Sequence, residues 1–273
     1  MDSLGELVQF APDTYGVRWQ RHLALFIVTS EGVILVDPIG QINPKAPYFV
    51  KEAIAQVTPL PVKYVIYSHW GADHGMGGDA FADTATFVGH VNCIERIKAT
   101  PDPKSPLPTI TFNQPMHVDL GGTRIDLYPS NLSKDDEYIV IHHADQKIAM
   151  LVDIVQAKSA PYRTLLGEPD KITAHLKWLH DWLDFDTLIS GHTGPQWFGT
   201  KDDVLEARQY YFDLSDAIEA ARQAGHADRS PEMAAAALET MRPKYGAWSR
   251  FTVEALAENI EGFLRWNAGE QLR

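Results

Sequence analysis

The sequence has few of the features that place a protein outside the cell or in a membrane. Its single cysteine, Cys93, excludes an intrachain disulfide and suits a reducing compartment. No apolar run approaches the ~20 residues that a membrane helix needs. The first six residues are acidic and lack the apolar centre of a signal peptide. We therefore predict a cytoplasmic protein with no membrane partner.

Positive charge is also in short supply. Lysine and arginine total 24 against 36 aspartate and glutamate residues, so the formal net charge is −12. Nucleic acids and anionic membranes select basic surfaces, so we expect neither as a partner. By contrast, 273 residues of which 45% are hydrophobic can bury a large core. Short β-branched runs alternate with amphipathic stretches, and this alternation favours an α/β fold.

The stretch from residue 63 to residue 78 combines a buried strand with a polar loop. Residues 65–67, Val-Ile-Tyr, form a short β-rich run, and His69, Asp73 and His74 follow within a few positions. Because a strand fixes what its loop carries, this is a common way to build a metal site or an acid–base site.

This loop resembles the signature of the metallo-β-lactamase superfamily, His-x-His-x-Asp-His, with Gly71 where the second histidine belongs. Other strand ends carry aspartate or histidine in the superfamily's order, namely Asp37, Asp153 and His192. The resemblance covers roughly residues 7–200. It implies an α/β fold of the αββα four-layer sandwich type, with the site at one edge between two sheets.

The same resemblance suggests how the chain is divided. Residues 1–200 would form the metallo-β-lactamase-like domain, and residues 201–273 a C-terminal helical extension packed on it. The extension reads as helical, with breaks near Gly225 and Pro243. We expect it to cover the pocket or to form a homodimer contact.

The resemblance implies a two-metal site of which this chain keeps one half. Leu132 aligns with the last histidine of the first metal site, so that site keeps only His69. The second site keeps enough ligands for one divalent ion, expected to be zinc, if a metal is bound at all. Its ligands would be Asp73, His74, Asp153 and His192. Asp37 matches the superfamily's structural aspartate.

The missing imidazoles leave room for substrate. Gly71 and Leu132 have no lone pair to offer, so this half of the cleft is expected to bind an apolar part of the substrate, flanked by Trp70.

We predict a hydrolase with at most one metal, acting on a small organic ester, lactone or amide. Catalytic roles would fall to His69, Asp73 and Asp153, with His69 either an acid–base or orienting group or a remnant of the lost site. One alternative is a metal-independent lyase or hydrolase that uses the same cleft for proton transfer. The other is a non-catalytic descendant that binds a ligand.

Overall fold

A computed structural model describes residues 5–41, 43–133, 136–162, 165–192 and 198–270. The chain divides into two compact units. The first comprises Met1–Ser130, Asp135–Val152 and Ile189–Thr193, and the second comprises Asn131–Lys134, Asp153–Leu188 and Gly194–Arg273. The predicted α/β class, with two sheets and C-terminal helices, is confirmed.

The first sheet belongs to the first unit, and its strands lie side by side in chain order. The first four strands are antiparallel and the last four are parallel, with the fourth strand common to both sets. Its central strands are rich in Val, Ile and Leu and buried along their length, as expected where both faces are covered. The strands are β1 (Gly5–Ala11), β2 (Thr14–Trp19), β3 (His22–Val28), β4 (Val33–Val36), β5 (Val62–Ile66), β6 (Thr86–His90) and β7 (Ile110–Phe112).

Helices join the parallel strands, because parallel pairing needs a crossover connection. α1 (Ala46–Val57) follows β4, the one-turn α2 (Ala72–Gly75) follows β5, and α3 (Cys93–Ala99) follows β6. The buried face of α1 joins the core cluster formed by the strands. The strand ends before α1 and α2 are therefore held rigidly.

The second sheet contributes four antiparallel strands to this unit, in the order β11-β10-β9-β8. They are β8 (Met116–Leu120), β9 (Thr123–Pro129), β10 (Ile139–His143) and β11 (Ile148–Met150). The two sheets meet where Ile139 N–H donates to the carbonyl of Ser68 at 2.9 Å. This contact places β10 against the loop that follows β5.

The second unit is mostly helical, with two short strands. Its elements are α4 (Pro169–Trp182), β12 (Thr187–Ile189), whose last residue belongs to the first unit, β13 (Phe198–Gly199), α5 (Lys201–Gln223), α6 (Pro231–Tyr245) and α7 (Val253–Asn267). α5 ends just before Gly225, whereas Pro243 lies inside the last turn of α6. The predicted domain boundary at residue 200 stays a prediction.

Buried aromatic residues connect the C-terminal helices. The ring of Tyr210 stacks on Trp248 with centroids 5.9 Å apart, and Tyr245 meets both edge-on. The Tyr210 hydroxyl donates to Oδ1 of the buried Asn259 on α7 at 2.8 Å. Across the described ranges, every helix is too short or too polar to cross a membrane.

Candidate metal centre

Polar side chains from separate parts of the first unit meet at one edge of the first sheet. Asp37 follows β4, and His69, Asp73 and His74 lie in the loop and short helix after β5. His192 returns beside the start of β3, where it forms an antiparallel bridge with His22. Leu23 N–H donates to the carbonyl of Gly191 at 2.8 Å and fixes this pairing.

Four of these side chains form a compact cluster of ligand atoms. His22, Asp73, His74 and His192 each direct one ligand atom to the cluster, and these atoms all lie within 4.8 Å of one another. Oδ2 of Asp73 lies 3.1 Å from Nε2 of His22, 3.5 Å from Nε2 of His74 and 3.6 Å from Nε2 of His192. Nε2 of His74 and Nε2 of His192 are 3.1 Å apart.

The three imidazoles of the cluster are inclined to one another. The rings of His74 and His192 are perpendicular, with interplanar angle 90° and centroids 4.8 Å apart. His22 makes angles of 67° with His192 and 57° with His74. The rings are thus inclined while their Nε2 atoms converge. Burial lowers the pKa of His22, and its hydrogen bond to Asp73 opposes that shift.

Asp37 is a buried residue that contacts Ser68 and His74 next to the cluster. It is fully buried and has φ of 57°, a left-handed conformation that aspartate tolerates better than most residues. Its carboxylate accepts from Ser68 N–H at 2.9 Å and from the Ser68 hydroxyl at 2.6 Å. Oδ2 also lies 3.7 Å from Nδ1 of His74. Burial raises the pKa of Asp37, whereas His74, His69 and the Ser68 hydrogen bonds lower it.

His69 lies beside the cluster and has a different environment. Its ring stacks on Tyr138, with centroids 4.4 Å apart and an interplanar angle of 20°. Its Nδ1 is 3.0 Å from the Ser68 hydroxyl oxygen. The same hydroxyl donates its hydrogen to Asp37, so a hydrogen bond between Ser68 and His69 would need Nδ1 of His69 as the donor.

Gly71 allows His69 to take this position. A Cβ at residue 71 would overlap Nε2 of His69 and would lie 2.9 Å from Oδ1 of Asp73. The backbone at Gly71 is ordinary extended chain, with φ of −87°. The glycine is therefore required for space rather than for backbone conformation.

Trp70 is a core residue. It is 7% exposed and belongs to the core cluster of the first unit. Its indole N–H donates to the hydroxyl of Thr100 at 2.7 Å, and its ring meets Tyr67 edge-on at 5.9 Å. These contacts account for its packing, and its expected contact with substrate stays a prediction.

Two predicted site residues belong to the second unit. Leu132 is fully buried there, and its carbonyl accepts from Glu168 N–H at 3.0 Å. Asp153 has φ of 62°, so both strand-end aspartates of the predicted site have left-handed backbone. The role of Asp153 as ligand or base, and that of Leu132 in the substrate pocket, stay predictions.

His22 is the member of the cluster that sequence reasoning missed. It is the first residue of β3, directly after the two-residue turn Gln20-Arg21. A single histidine at a strand start has no spacing that indicates a ligand. The one available signal was a histidine at the start of a strand.

Part of the chain resembles a known protein family. A family model described as the metallo-beta-lactamase superfamily matches residues 17–146, which include His22, Asp37 and the whole signature loop. This part of the chain is therefore similar to the metallo-β-lactamase superfamily. Members of the superfamily are mostly hydrolases. Among proteins with curated descriptions, none matches the sequence.

Several solved structures share the fold at low sequence identity. A double mutant of a sec-alkyl sulfatase has TM-score 0.78 at 14% identity, covering 98% of this chain and 51% of that one. The inverting sec-alkylsulfatase from Pseudomonas sp. has TM-score 0.71 at 12% identity, covering 98% and 50%. A metallo-beta-lactamase from Pontibacter korlensis has TM-score 0.61 at 16% identity, covering 75% and 99%. The chain therefore spans about half the length of the alkylsulfatases.

The geometry of the cluster fits a divalent metal ion such as zinc. Ligands about 2.0–2.1 Å from a tetrahedral zinc ion lie about 3.3 Å from one another. The four measured separations in the cluster run from 3.1 to 3.6 Å. Imidazole nitrogen and carboxylate oxygen are ligands that zinc accepts. Asp37, beside Nδ1 of His74, occupies the place of the outer carboxylate that commonly orients such a ligand.

Proposed function

We propose that this protein is a hydrolase of a small organic ester, lactone or amide that works with one divalent metal ion, zinc. The observation that carries the proposal is the convergence of Asp73, His74 and His192, with separations of 3.1 to 3.6 Å. They are three of the four ligands that the resemblance implies, the fourth being Asp153. Three protein ligands are the usual complement of a catalytic zinc.

At the first metal site, the resemblance implies histidines where this chain has Gly71 and Leu132. Gly71 offers no ligand, and its space is taken by the ring of His69. One imidazole is too few to hold a zinc ion against competing buffer. We therefore propose a stoichiometry of at most one metal per chain.

The metal would supply Lewis acidity, which polarises the bond to be cleaved and makes a water molecule a better nucleophile. The chain's own residues would orient the site. Asp37 accepts two hydrogen bonds from Ser68 and lies 3.7 Å from Nδ1 of His74, and the Ser68 hydroxyl lies 3.0 Å from Nδ1 of His69. Because Nδ1 of His69 faces Ser68, Nε2 is the ring nitrogen that would exchange a proton with a substrate.

Sulfate esters are a further class of candidate substrates. The alkylsulfatase similarity covers 98% of the chain, whereas that of the lactamase covers 75%. A fold does not determine a substrate. The fold alone thus does not select sulfate esters. We add sec-alkyl sulfates to the substrates to be tested and keep small esters, lactones and amides as the proposed class.

Metal analysis and a substrate panel test the proposal together. Protein purified without chelator is analysed for metal, then assayed with esters, lactones, amides and sec-alkyl sulfates. Each assay is repeated after chelation and after zinc is restored. We expect at most one equivalent of metal, with activity that disappears on chelation and returns with zinc. Asp73→Asn should abolish metal binding and activity. His117→Ala, at an exposed histidine of β8, should change neither metal binding nor activity.

Other outcomes point to specific alternatives. Two equivalents of metal would overturn the single-ion site. Full activity after chelation would identify a metal-independent enzyme in the same cleft. One bound zinc without turnover of any panel member would favour the ligand-binding descendant.

A further inference from the structure

His22 stands outside the superfamily signature, yet its side chain lies within the metal cluster. Its Nε2 is 3.1 Å from Oδ2 of Asp73, the same separation as that between Nε2 of His74 and Nε2 of His192. Its ring centroid is 4.5 Å from that of His192. These distances call for a role for His22 within the cluster.

The backbone holds His22 in this place independently of any metal. His22 pairs with Trp19 across a two-residue turn and bridges to His192 on its other side. The hydrogen bond from Leu23 N–H to the Gly191 carbonyl, 2.8 Å long, secures that bridge. A ligand carried on a rigid strand beside its partner is well preorganised for binding.

We propose that His22 is the fourth protein ligand of the single metal site, which His22, Asp73, His74 and His192 together close. The four ligand atoms lie within 4.8 Å of one another, and the measured separations match the edge of a tetrahedral zinc site, about 3.3 Å. Three nitrogens and one oxygen form a donor set suited to zinc. Relative to the superfamily signature, the chain has Gly71 and Leu132 in place of histidines, and β3 would supply the additional ligand.

A closed site has a chemical consequence. Zinc sites with four protein ligands are usually structural, whereas catalytic sites keep one position open. With His22 bound, the metal would have no vacant tetrahedral position. We therefore expect slow hydrolysis by the native protein, and faster hydrolysis per bound metal once His22 is removed.

A simpler role for His22 is to donate a hydrogen bond to Asp73 and orient it as a ligand. Glutamine at residue 22 separates the two roles, because its amide can donate to Asp73 but is a poor zinc ligand. Since His22→Ala also removes ring packing, His22→Gln is the better variant. Its fold is checked by the melting temperature of the metal-free protein.

The test uses metal binding and spectroscopy as well as activity. Wild type, His22→Gln and the control His117→Ala are titrated with Zn²⁺ in competition with a chromophoric chelator. The zinc-loaded proteins are examined by X-ray absorption to count imidazole ligands, and the Co²⁺ forms by visible absorption. We expect His22→Gln to lower zinc affinity at least ~100-fold. The imidazole count should fall from three to two, and the tetrahedral Co²⁺ bands should weaken.

The inference rests on the proposed function only for the presence of a metal, and the two fail differently. Unchanged affinity and three imidazoles in His22→Gln would overturn the role of His22 and leave the hydrolase proposal intact. An imidazole count of two in wild type would do the same. Loss of the His22 imidazole from a protein that hydrolyses no panel substrate would support the ligand and reject the hydrolase. Wild-type protein that binds neither Zn²⁺ nor Co²⁺ would reject both metal proposals.

Discussion

The signature loop has two halves that rest on the same buried carboxylate and differ in what they contribute. On the His74 side, the ligand atoms of Asp73, His74 and His192 lie 3.1 to 3.6 Å from one another. On the His69 side, the ring lies flat on Tyr138, and Trp70 is packed in the core. Asp37 contacts both sides, through Ser68 and through Nδ1 of His74.

The two sides therefore differ in the contacts that they offer. On the His69 side, the ring of His69 occupies the space beside Gly71. On the His74 side, His22 lies in the same cluster as Asp73, His74 and His192. Changes on the His69 side should therefore cost stability, and changes on the His74 side should cost metal affinity.

The largest expected effect is on folding, at Trp70. Trp70→Ala removes a side chain that is 7% exposed, together with its hydrogen bond to Thr100, and should lower the free energy of unfolding by about 3–5 kcal/mol. Trp182, which is 77% exposed on α4, provides the control. Trp182→Ala should change stability by less than about 0.5 kcal/mol in the same urea titrations. Equal stability of the two variants would contradict the assignment of Trp70 to the core.

The next effect is on metal binding, at His74. Structural zinc sites contribute roughly 10–16 kcal/mol, so one ligand of four accounts for about 3 kcal/mol. His74→Ala should weaken zinc binding about 100-fold on this basis and abolish hydrolysis. Competition with a chromophoric chelator measures the affinity, with His117→Ala as the matched histidine control. A loss below about threefold would remove His74 from the ligand set.

The site residues that are positioned by their near neighbours in the sequence could be predicted. Those positioned by distant parts of the chain could not. Local patterns indicated where Asp37, Asp73, His74 and His192 lie, because Asp37 directly follows β4, Asp73 and His74 lie in the short helix after β5, and His192 comes shortly after β12. His22 was not predictable in this way, since its role depends on pairing with a residue far along the chain. We interpreted the space beside Gly71 as empty, whereas the ring of His69 occupies it. Such long-range and side-chain packing leaves little trace in residue spacing.

Gly71 should show a smaller effect on stability. A Cβ there would overlap Nε2 of His69, so Gly71→Ala must displace that ring and should cost about 1–3 kcal/mol. Gly89 is the matched control, because a Cβ there would meet nothing nearer than 3.5 Å among the described atoms. Thermal unfolding compares the two variants directly. A neutral Gly71→Ala would mean that the His69 ring moves freely.

Gly71→His sharpens the same comparison, because it restores the superfamily signature. We expect it to lower stability at least as much as Gly71→Ala while metal stoichiometry stays at one. Elemental analysis giving two equivalents would show that the first site needs only this one ligand to recover.

The smallest expected effect on metal affinity is at His69. His69 is the first histidine of the signature, but it is not one of the four residues of the cluster, and its ring stacks on Tyr138 while its Nδ1 lies 3.0 Å from the Ser68 hydroxyl. His69→Gln should therefore change zinc affinity by less than about threefold, or about 0.6 kcal/mol. If Nε2 of His69 exchanges a proton with substrate, kcat should nonetheless fall by a factor on the order of 100. A kcat that falls while zinc affinity holds assigns His69 to proton transfer. Two unchanged quantities would make it a remnant of the lost site, and a zinc affinity reduced 10-fold or more would return it to the ligand set.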